Sequence, residues 1–286
     1  MTEVRIATRR SPLALAQARQ VAELIEKATR GVTVTLLEVD TLGDRDQAGP
    51  IVDLTEIGAF VRSVQRAVIE GLADLAVHSL KDLPVSGPPE LEIVAIPERR
   101  SPHDVLVGAT LESLPEGAVI GTGSPRRSAQ LLELRPDLKT TSLRGNVDTR
   151  LGKIARGEVD AAVLAEAGLE RLGRTEVIVQ RFATSEMVPA PGQAALAVEA
   201  RRESDAAEVA HSIDDPSLRT LVSAERLLLA ATGAGCRSAL GALATWEGER
   251  IRLETFVADE GGARRSTVYG ETPATVVAIA RRELAL

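Results

Sequence analysis

The sequence predicts an α/β protein of three domains, in which two domains with mostly parallel sheets are followed by a small α+β domain. Short β-branched apolar segments alternate with helical patterns along most of the chain. One order of elements occurs twice, which indicates two similar halves. A chain of 286 residues is also long enough for two or three domains.

The first half starts with a strand and a capped helix. Ser11-Pro12 places an N-cap residue before a proline at the first helical position, and Gly31 ends the helix that follows. The patterns of this half predict strands over 4–8, 32–39, 74–78 and 91–96 and helices over 13–29 and 60–70.

The second half repeats this order. Ser124-Pro125 again starts a helix after a strand, and Gly-x-x-Asp-x-Ala-Val occurs at 71–77 and at 157–163. Because the spacings differ, the halves share an architecture and not a sequence repeat. The patterns predict strands over 118–122 and 138–143, and helices that begin at 124 and 147 and end near 134 and 156.

Two proline-containing segments mark crossings between the halves, 97–102 and 189–192, and 195–199 is expected to return a strand to the first domain. The end of the chain predicts an α+β unit with helices over 218–231 and 275–284 and strands over 239–246, 251–257 and 265–269. We therefore expect domain 1 over 1–97 and 193–214, domain 2 over 98–192, and domain 3 over 215–286.

Composition narrows the class of protein. Aromatic residues make up only 2% of the chain, which argues against a reader of nucleic-acid bases, and a net charge of −7 disfavours nucleic acid as a partner. No apolar run reaches membrane-spanning length, and the N-terminus lacks the pattern of a signal peptide. With a single cysteine, the sequence predicts a cytoplasmic protein with no membrane partner.

Cys236 is that cysteine, in a loop of small residues. A lone thiol cannot form an internal disulfide, and no metal-ligand spacing occurs in the chain, so we expect no metal. The hypothesis for Cys236 is that it carries a group covalently.

Both Ser-Pro helix starts are flanked by arginines. Arg9 precedes Ser11, and Arg126 and Arg127 follow Ser124. A helix N-terminus attracts carboxylate or phosphate, and arginine adds permanently charged bidentate donors. The residues alone leave open whether these are anion sites or plain caps with solvated arginines.

Further polar residues follow predicted strands, at the sheet edge where α/β proteins bind ligands. The positions of Arg144 and Arg150 are compatible with one shared ligand-binding crevice, and also with surface charge on a helix. The position of Arg171 is equally compatible with a positive charge that stabilises the C-terminus of its helix. In the segment His78-Ser79-Leu80-Lys81-Asp82, Lys81 is a candidate for binding a carboxylate group. Asp82 is a candidate for a general acid, a general base or a group that stabilises a cation. The alternative is that His78 is a structural histidine with its hydrogen bonds satisfied, and that Lys81 and Asp82 are ordinary turn residues.

These residues, in this order, resemble the porphobilinogen deaminase family, also called hydroxymethylbilane synthases. Ala-Val-His-Ser-Leu-Lys-Asp at 76–82 and Arg-Gly-Asn-Val-Asp-Thr-Arg at 144–150 are the most specific motifs. The other matching segments, in one register over nearly the whole chain, are 5–9, 11–15, 121–127, 167–172, 191–193 and 235–236.

The resemblance implies two solute-binding-protein-like α/β domains, of the type II periplasmic-binding class, around a cleft, with a small C-terminal α+β domain. It implies a monomeric transferase that joins four porphobilinogen molecules head to tail with release of ammonia, then hydrolyses the linear tetrapyrrole free. The primer would be a dipyrromethane cofactor in thioether linkage to Cys236, with Asp82 catalytic. The residues that fall on carboxylate-binding positions are Arg9, Ser11, Lys81, Ser124, Arg126, Arg127, Arg144, Arg150 and Arg171.

The chain departs from the family pattern in places. The segment 55–60, expected as a loop, lacks the usual lysine, and Ala194 stands where glycine is frequent. Two other readings are a non-catalytic two-domain anion-binding protein and an inactive relative that retains pyrrole binding.

Overall fold

The computed structural model describes residues 2–39, 55–233 and 239–286. Its strands are β1 Thr2–Arg9, β2 Val32–Val39, β3 Leu75–Ser79, β4 Leu91–Ala95, β5 Asp104–Val107, β6 Val119–Gly121, β7 Lys139–Thr141, β8 Ala161–Ala165, β9 Ile178–Arg181, β10 Leu196–Arg201, β11 Ala239–Glu247, β12 Arg250–Asp259 and β13 Gly262–Gly270. Its helices are α1 Pro12–Ala28, α2 Thr55–Ile69, α3 Pro125–Leu134, α4 Val147–Ala155, α5 Glu166–Arg171, α6 Asp205–His211, α7 Pro216–Ala231 and α8 Pro273–Leu284. Leu80–Asp82 and Thr175–Val177 form 3₁₀ turns.

The chain divides into two compact units. One contains Met1–Arg99 and Ala195–Arg219, and the other contains Arg100–Ala194 and Thr220–Leu286. The first unit holds one five-stranded sheet, and the second holds another five-stranded sheet and a three-stranded sheet. The predicted three-domain boundaries stay a prediction.

The two five-stranded sheets have the same topology. The first has the order β2-β1-β3-β10-β4 and the second the order β7-β6-β8-β5-β9. In each, one strand, β10 or β5, pairs antiparallel with both neighbours, while the other pairings are parallel. Four of the five strands in each sheet therefore share one direction, which confirms the predicted α/β class.

The repeated Gly-x-x-Asp motif has one structural role in both halves. Gly71 and Gly157 have positive φ angles of 74° and 71°, which glycine adopts without strain. The aspartate three residues later accepts a backbone N–H from a neighbouring strand, from Arg5 of β1 to Asp74 at 2.8 Å and from Val119 of β6 to Asp160 at 2.7 Å. In return, the N–H of each aspartate donates to the carbonyl of the same strand residue, at 2.9 Å. The motif thus joins β3 to β1 in the first half and β8 to β6 in the second.

The three-stranded sheet is antiparallel, in the order β11-β12-β13. Its core contains Leu240, Ile251 and Leu253 from the strands, packed against Leu228 of α7 and Val276 of α8. This arrangement confirms the predicted α+β character of the C-terminal region.

Two predictions on local structure need correction. Residues 55–60, expected as a loop, form the start of α2. No strand was predicted over 104–107, yet β5 lies there with all four residues buried. Its short length and the acid at its first position hide it from a periodicity argument.

Candidate active site

In the first unit, Arg9 and Ser11 lie where β1 meets α1. Ser11 caps α1, and its hydroxyl accepts the N–H of Ala14 at 3.2 Å, as the sequence predicts. The Arg9 guanidinium carbon stands 3.9 Å from the centroid of the Phe60 ring, a cation–π contact that holds the charge at this strand end. A cation beside a helix N-terminus favours a bound anion.

Lys81 and Asp82 lie on the 3₁₀ turn that follows β3. Leu80 anchors this turn, because its side chain is buried and its N–H donates to the carbonyl of Ala195 at 3.0 Å. Asp82 is exposed and Lys81 is half-buried. The turn thus presents a carboxylate and an ammonium group at the end of a buried strand.

In the second unit, Arg126 and Arg127 turn inward from the start of α3. Ser124 caps the helix as predicted, accepting the N–H of Arg127 at 3.4 Å. Both arginine side chains are buried, and both bind Asp104, which is fully buried at the start of β5. Asp104 was not among the residues singled out from the sequence.

Asp104 holds the two arginines through charged hydrogen bonds. Arg126 Nη1 donates to its Oδ2 at 2.6 Å, while Arg127 Nε and Nη2 donate to its Oδ1 at 2.9 and 2.7 Å. Gln193 Nε2 donates to the same Oδ1 at 3.0 Å. Burial alone would raise the pKa of Asp104, but the two arginines hold it well below its usual value. The site keeps one net positive charge, because two guanidinium groups surround one carboxylate.

Arg126 also retains a free donor. Its Nε is buried and makes no hydrogen bond within the part of the chain that the structure describes. Its Nη1 also donates to the carbonyl of Val188, at 2.7 Å. A buried donor without a partner is costly unless a ligand or ordered water satisfies it. The cluster therefore fits a bound group that carries carboxylates.

Arg144 and Arg150 flank the start of α4. Asn146 caps this helix by accepting the N–H of Thr149 at 2.8 Å. Arg150 Nε donates to the carbonyl of Gly145 at 2.9 Å, and Arg144 is exposed. Gly145 has φ 103°, and a Cβ there would stand 2.6 Å from the Thr149 methyl, so glycine is required between the two arginines.

Arg171 ends α5 and supports the backbone at 194. Its Nη2 donates to the carbonyl of Ala194 at 2.8 Å. Ala194 has φ 72°, a left-handed conformation that is strained for any residue with a Cβ. Arg171 therefore helps to hold the backbone at Ala194 in this strained conformation.

Replacing Ala194 with glycine should relieve that strain. We expect Ala194→Gly to raise the free energy of unfolding by on the order of 1 kcal/mol, because glycine adopts positive φ freely. Urea denaturation would measure the change. Ala195→Gly is the matched control, since Ala195 is also buried but has no positive φ. An equal loss of stability in both variants would show that position 194 stores no strain.

Cys236 lies outside the described residues, so its predicted role stays a prediction. Among the residues described, no group of three or more histidine, cysteine, aspartate or glutamate side chains is arranged to hold a metal ion. Sequence reasoning missed Asp104 and the role of Gln193. A single acid at the head of the apolar run Val105–Val107 was the signal for Asp104.

Comparisons with known proteins give concordant results. Residues 4–209 match a family model described as porphobilinogen deaminase, dipyromethane cofactor binding domain. A porphobilinogen deaminase of Acidothermus cellulolyticus is 44% identical over 99% of this chain and 87% of its own length. One from Roseiflexus castenholzii is 45% identical over 87% of this chain and 83% of its own.

The solved structures with detectable similarity include periplasmic and nutrient-binding proteins. A TRAP periplasmic solute binding protein from Desulfovibrio salexigens is 15% identical with a TM-score of 0.46, over 74% of this chain and 72% of its own. A nutrient binding protein from Burkholderia cenocepacia, bound to methionine, is 13% identical with a TM-score of 0.46, over 74% and 92%. No helix within the described ranges is both long and apolar enough to cross a lipid bilayer.

Proposed function

The chain belongs to the porphobilinogen deaminase family, and we propose from this that it joins four porphobilinogen molecules head to tail and hydrolyses the product free as the linear tetrapyrrole. Each condensation releases one ammonia. The observation that carries the proposal is the buried Asp104–Arg126–Arg127 cluster, a positively charged site with an unused donor. Such a site suits a substrate whose every pyrrole ring carries two carboxylates.

The residues that would hold these carboxylates fall into two groups. Arg9, Ser11 and Lys81 belong to the first unit, at the ends of β1 and β3. Those of the second unit are Ser124, Arg126, Arg127, Arg144, Arg150 and Arg171. Arginine suits this task because its fork of donors matches a carboxylate and keeps its charge at every physiological pH. When bound, the dipyrromethane supplies the pyrrole carbon from which the chain is extended.

Asp82 is the group that we assign to the chemical step. Loss of ammonia leaves porphobilinogen as a cation, and formation of the new carbon–carbon bond then releases a proton from the attacked ring system. Because the Asp82 carboxylate is exposed on a turn, both the substrate cation and the released proton can reach it. Asp82 would stabilise the cation as it develops and take up the proton.

Attachment of the cofactor to Cys236 is the part of the proposal that one measurement tests directly. We expect the intact mass of the purified protein to exceed the mass of its sequence by that of a dipyrromethane. The Cys236→Ser variant should carry no excess, because it lacks the only thiol in the chain. Porphobilinogen turnover is measured on both proteins in parallel.

Each outcome of this test has a clear meaning. An excess on the wild type alone, together with tetrapyrrole formation, supports both attachment and activity. An excess on both proteins would exclude Cys236 as the attachment site. A wild type that carries the cofactor and consumes no porphobilinogen would be an inactive pyrrole-binding relative.

The setting of the reaction is a further part of the proposal. We expect a monomer that works in the cytoplasm without a nucleic-acid or membrane partner. The single cysteine and the net charge of −7 support this. Light scattering of the purified protein tests the monomer, which a mass of twice 30.3 kDa would contradict.

A further inference from the structure

A buried polar cluster lies between α2 and the first sheet. His78 of β3 and Glu199 of β10 are both buried, and His78 Nε2 lies 3.1 Å from Glu199 Oε2. Gln65 of α2 donates its amide to both carboxylate oxygens of Glu199, at 3.1 and 2.9 Å. In the antiparallel pairing, Glu199 is opposite Ala76 and His78 is opposite Ala197. His78 and Glu199 are thus diagonal neighbours on one sheet face.

The surroundings of this cluster are otherwise apolar. Val64, Ala67 and Val68 of α2 pack against Ala7 and Ala76 in the same layer. Burying a carboxylate and an imidazole in such a layer costs free energy that apolar residues of the same size would avoid. Apolar packing alone therefore does not account for these two groups, which points to another role.

The cluster stands next to the turn that carries Asp82. His78 and Ser79 are the last two residues of β3, and Leu80–Asp82 follows directly. Successive residues of a strand point to opposite faces. On the other face, Ser79 Oγ accepts the amide of Gln17, a buried residue of α1, at 2.7 Å. The end of β3 is thus held by polar contacts from both sides.

We propose that His78 and Glu199 are positioning residues that fix the end of β3 and so set the place of the Asp82 carboxylate. The proposal rests on the proposed function, in which Asp82 acts on the substrate. His78 Nε2 makes no aligned hydrogen bond among the described residues, so its 3.1 Å approach to Glu199 Oε2 is a close packing contact between two buried polar groups. Loss of His78 leaves the Glu199 carboxylate with the Gln65 amide but without the imidazole, and frees the strand end to shift.

The test is a set of variants measured as turnover per molecule that carries the cofactor. We expect His78→Leu to lower kcat about 10-fold, since displacements near 1 Å at a reacting group cost up to about 100-fold. His78→Gln restores a donor that reaches Glu199 and should stay within about 3-fold of the wild type. Glu199→Gln, which removes the charge and keeps the shape, should resemble His78→Leu.

A second background separates positioning from general damage. If His78 acts through Asp82, adding His78→Leu to Asp82→Asn should lower the residual kcat by less than about 2-fold, because the positioned carboxylate is already gone. A purely structural role would give the same 10-fold factor in both backgrounds, and this result would overturn the proposal. Equal kcat for wild type and His78→Leu would overturn it as well.

Asp214→Asn provides the control for lost stability. Asp214 is another buried carboxylate of the same unit, paired with Arg219 at 2.8 Å and accepting the N–H of Ile96, which follows β4, at 2.7 Å. It should lower the unfolding midpoint and leave kcat per loaded enzyme unchanged. A wild type that forms no tetrapyrrole would refute the proposed function, whereas an active wild type with unaffected variants would refute only the positioning role.

Discussion

Replacing Asp82 with asparagine should lower the rate of tetrapyrrole formation by on the order of 10²–10³, the usual effect of removing one group that stabilises charge in a transition state. Asparagine keeps the size of the side chain and loses the negative charge. Without that charge, the cation formed on loss of ammonia has no counter-charge at this position, and the released proton has no acceptor. The measurement is kcat for porphobilinogen consumption.

Structure and cofactor should survive this change. Asp82 is exposed, so the unfolding midpoint and the mass excess on Cys236 should match those of the wild type. Glu90→Gln is the matched control, because Glu90 is another exposed acid between β3 and β4. It should leave kcat within about 2-fold, as surface substitutions usually do. Near-normal turnover in Asp82→Asn would remove this residue from the mechanism.

Local sequence signals predicted most of the elements. The Ser-Pro pairs at 11–12 and 124–125 cap helices as expected, and the strand predicted over 32–39 has those bounds in the structure. These signals act within a few residues, because a cap or a β-branched run is decided by neighbours in the chain.

Local signals of this kind could not predict that the side chains of Arg126 and Arg127 are buried. Their counter-charge, Asp104, is 22 residues from Arg126 along the chain and sits on a strand of only four residues. Nothing local distinguishes an arginine that faces a ligand from one that pairs with a distant buried acid. The same limit applies to Glu199, which meets Gln65 from 134 positions away.

Removing the charge of Asp104 should destabilise the second unit strongly. Asp104→Asn leaves two buried guanidinium groups without their carboxylate, and breaking a buried ion pair from one side costs about 3–5 kcal/mol. Urea denaturation should show a correspondingly lower free energy of unfolding. Activity should fall as well, because the same carboxylate orients both arginines toward any carboxylate that they bind.

The pH dependence of the free energy of unfolding shows whether the charge of Asp104 is the cause of this stabilisation. Because folding lowers the pKa of Asp104, its contribution is complete above the ordinary aspartate pKa of about 3.9 and is lost as the pH falls toward the folded-state value. The unfolded chain binds the extra proton in that range, so wild-type stability should drop steeply below about pH 4. Asp104→Asn should lack this part of the drop.

The control is Asp148→Asn, which breaks an exposed pair with Arg174 and should change neither stability nor its pH profile appreciably. If Asp104→Asn were as stable as that control, the buried cluster would not hold the second unit together.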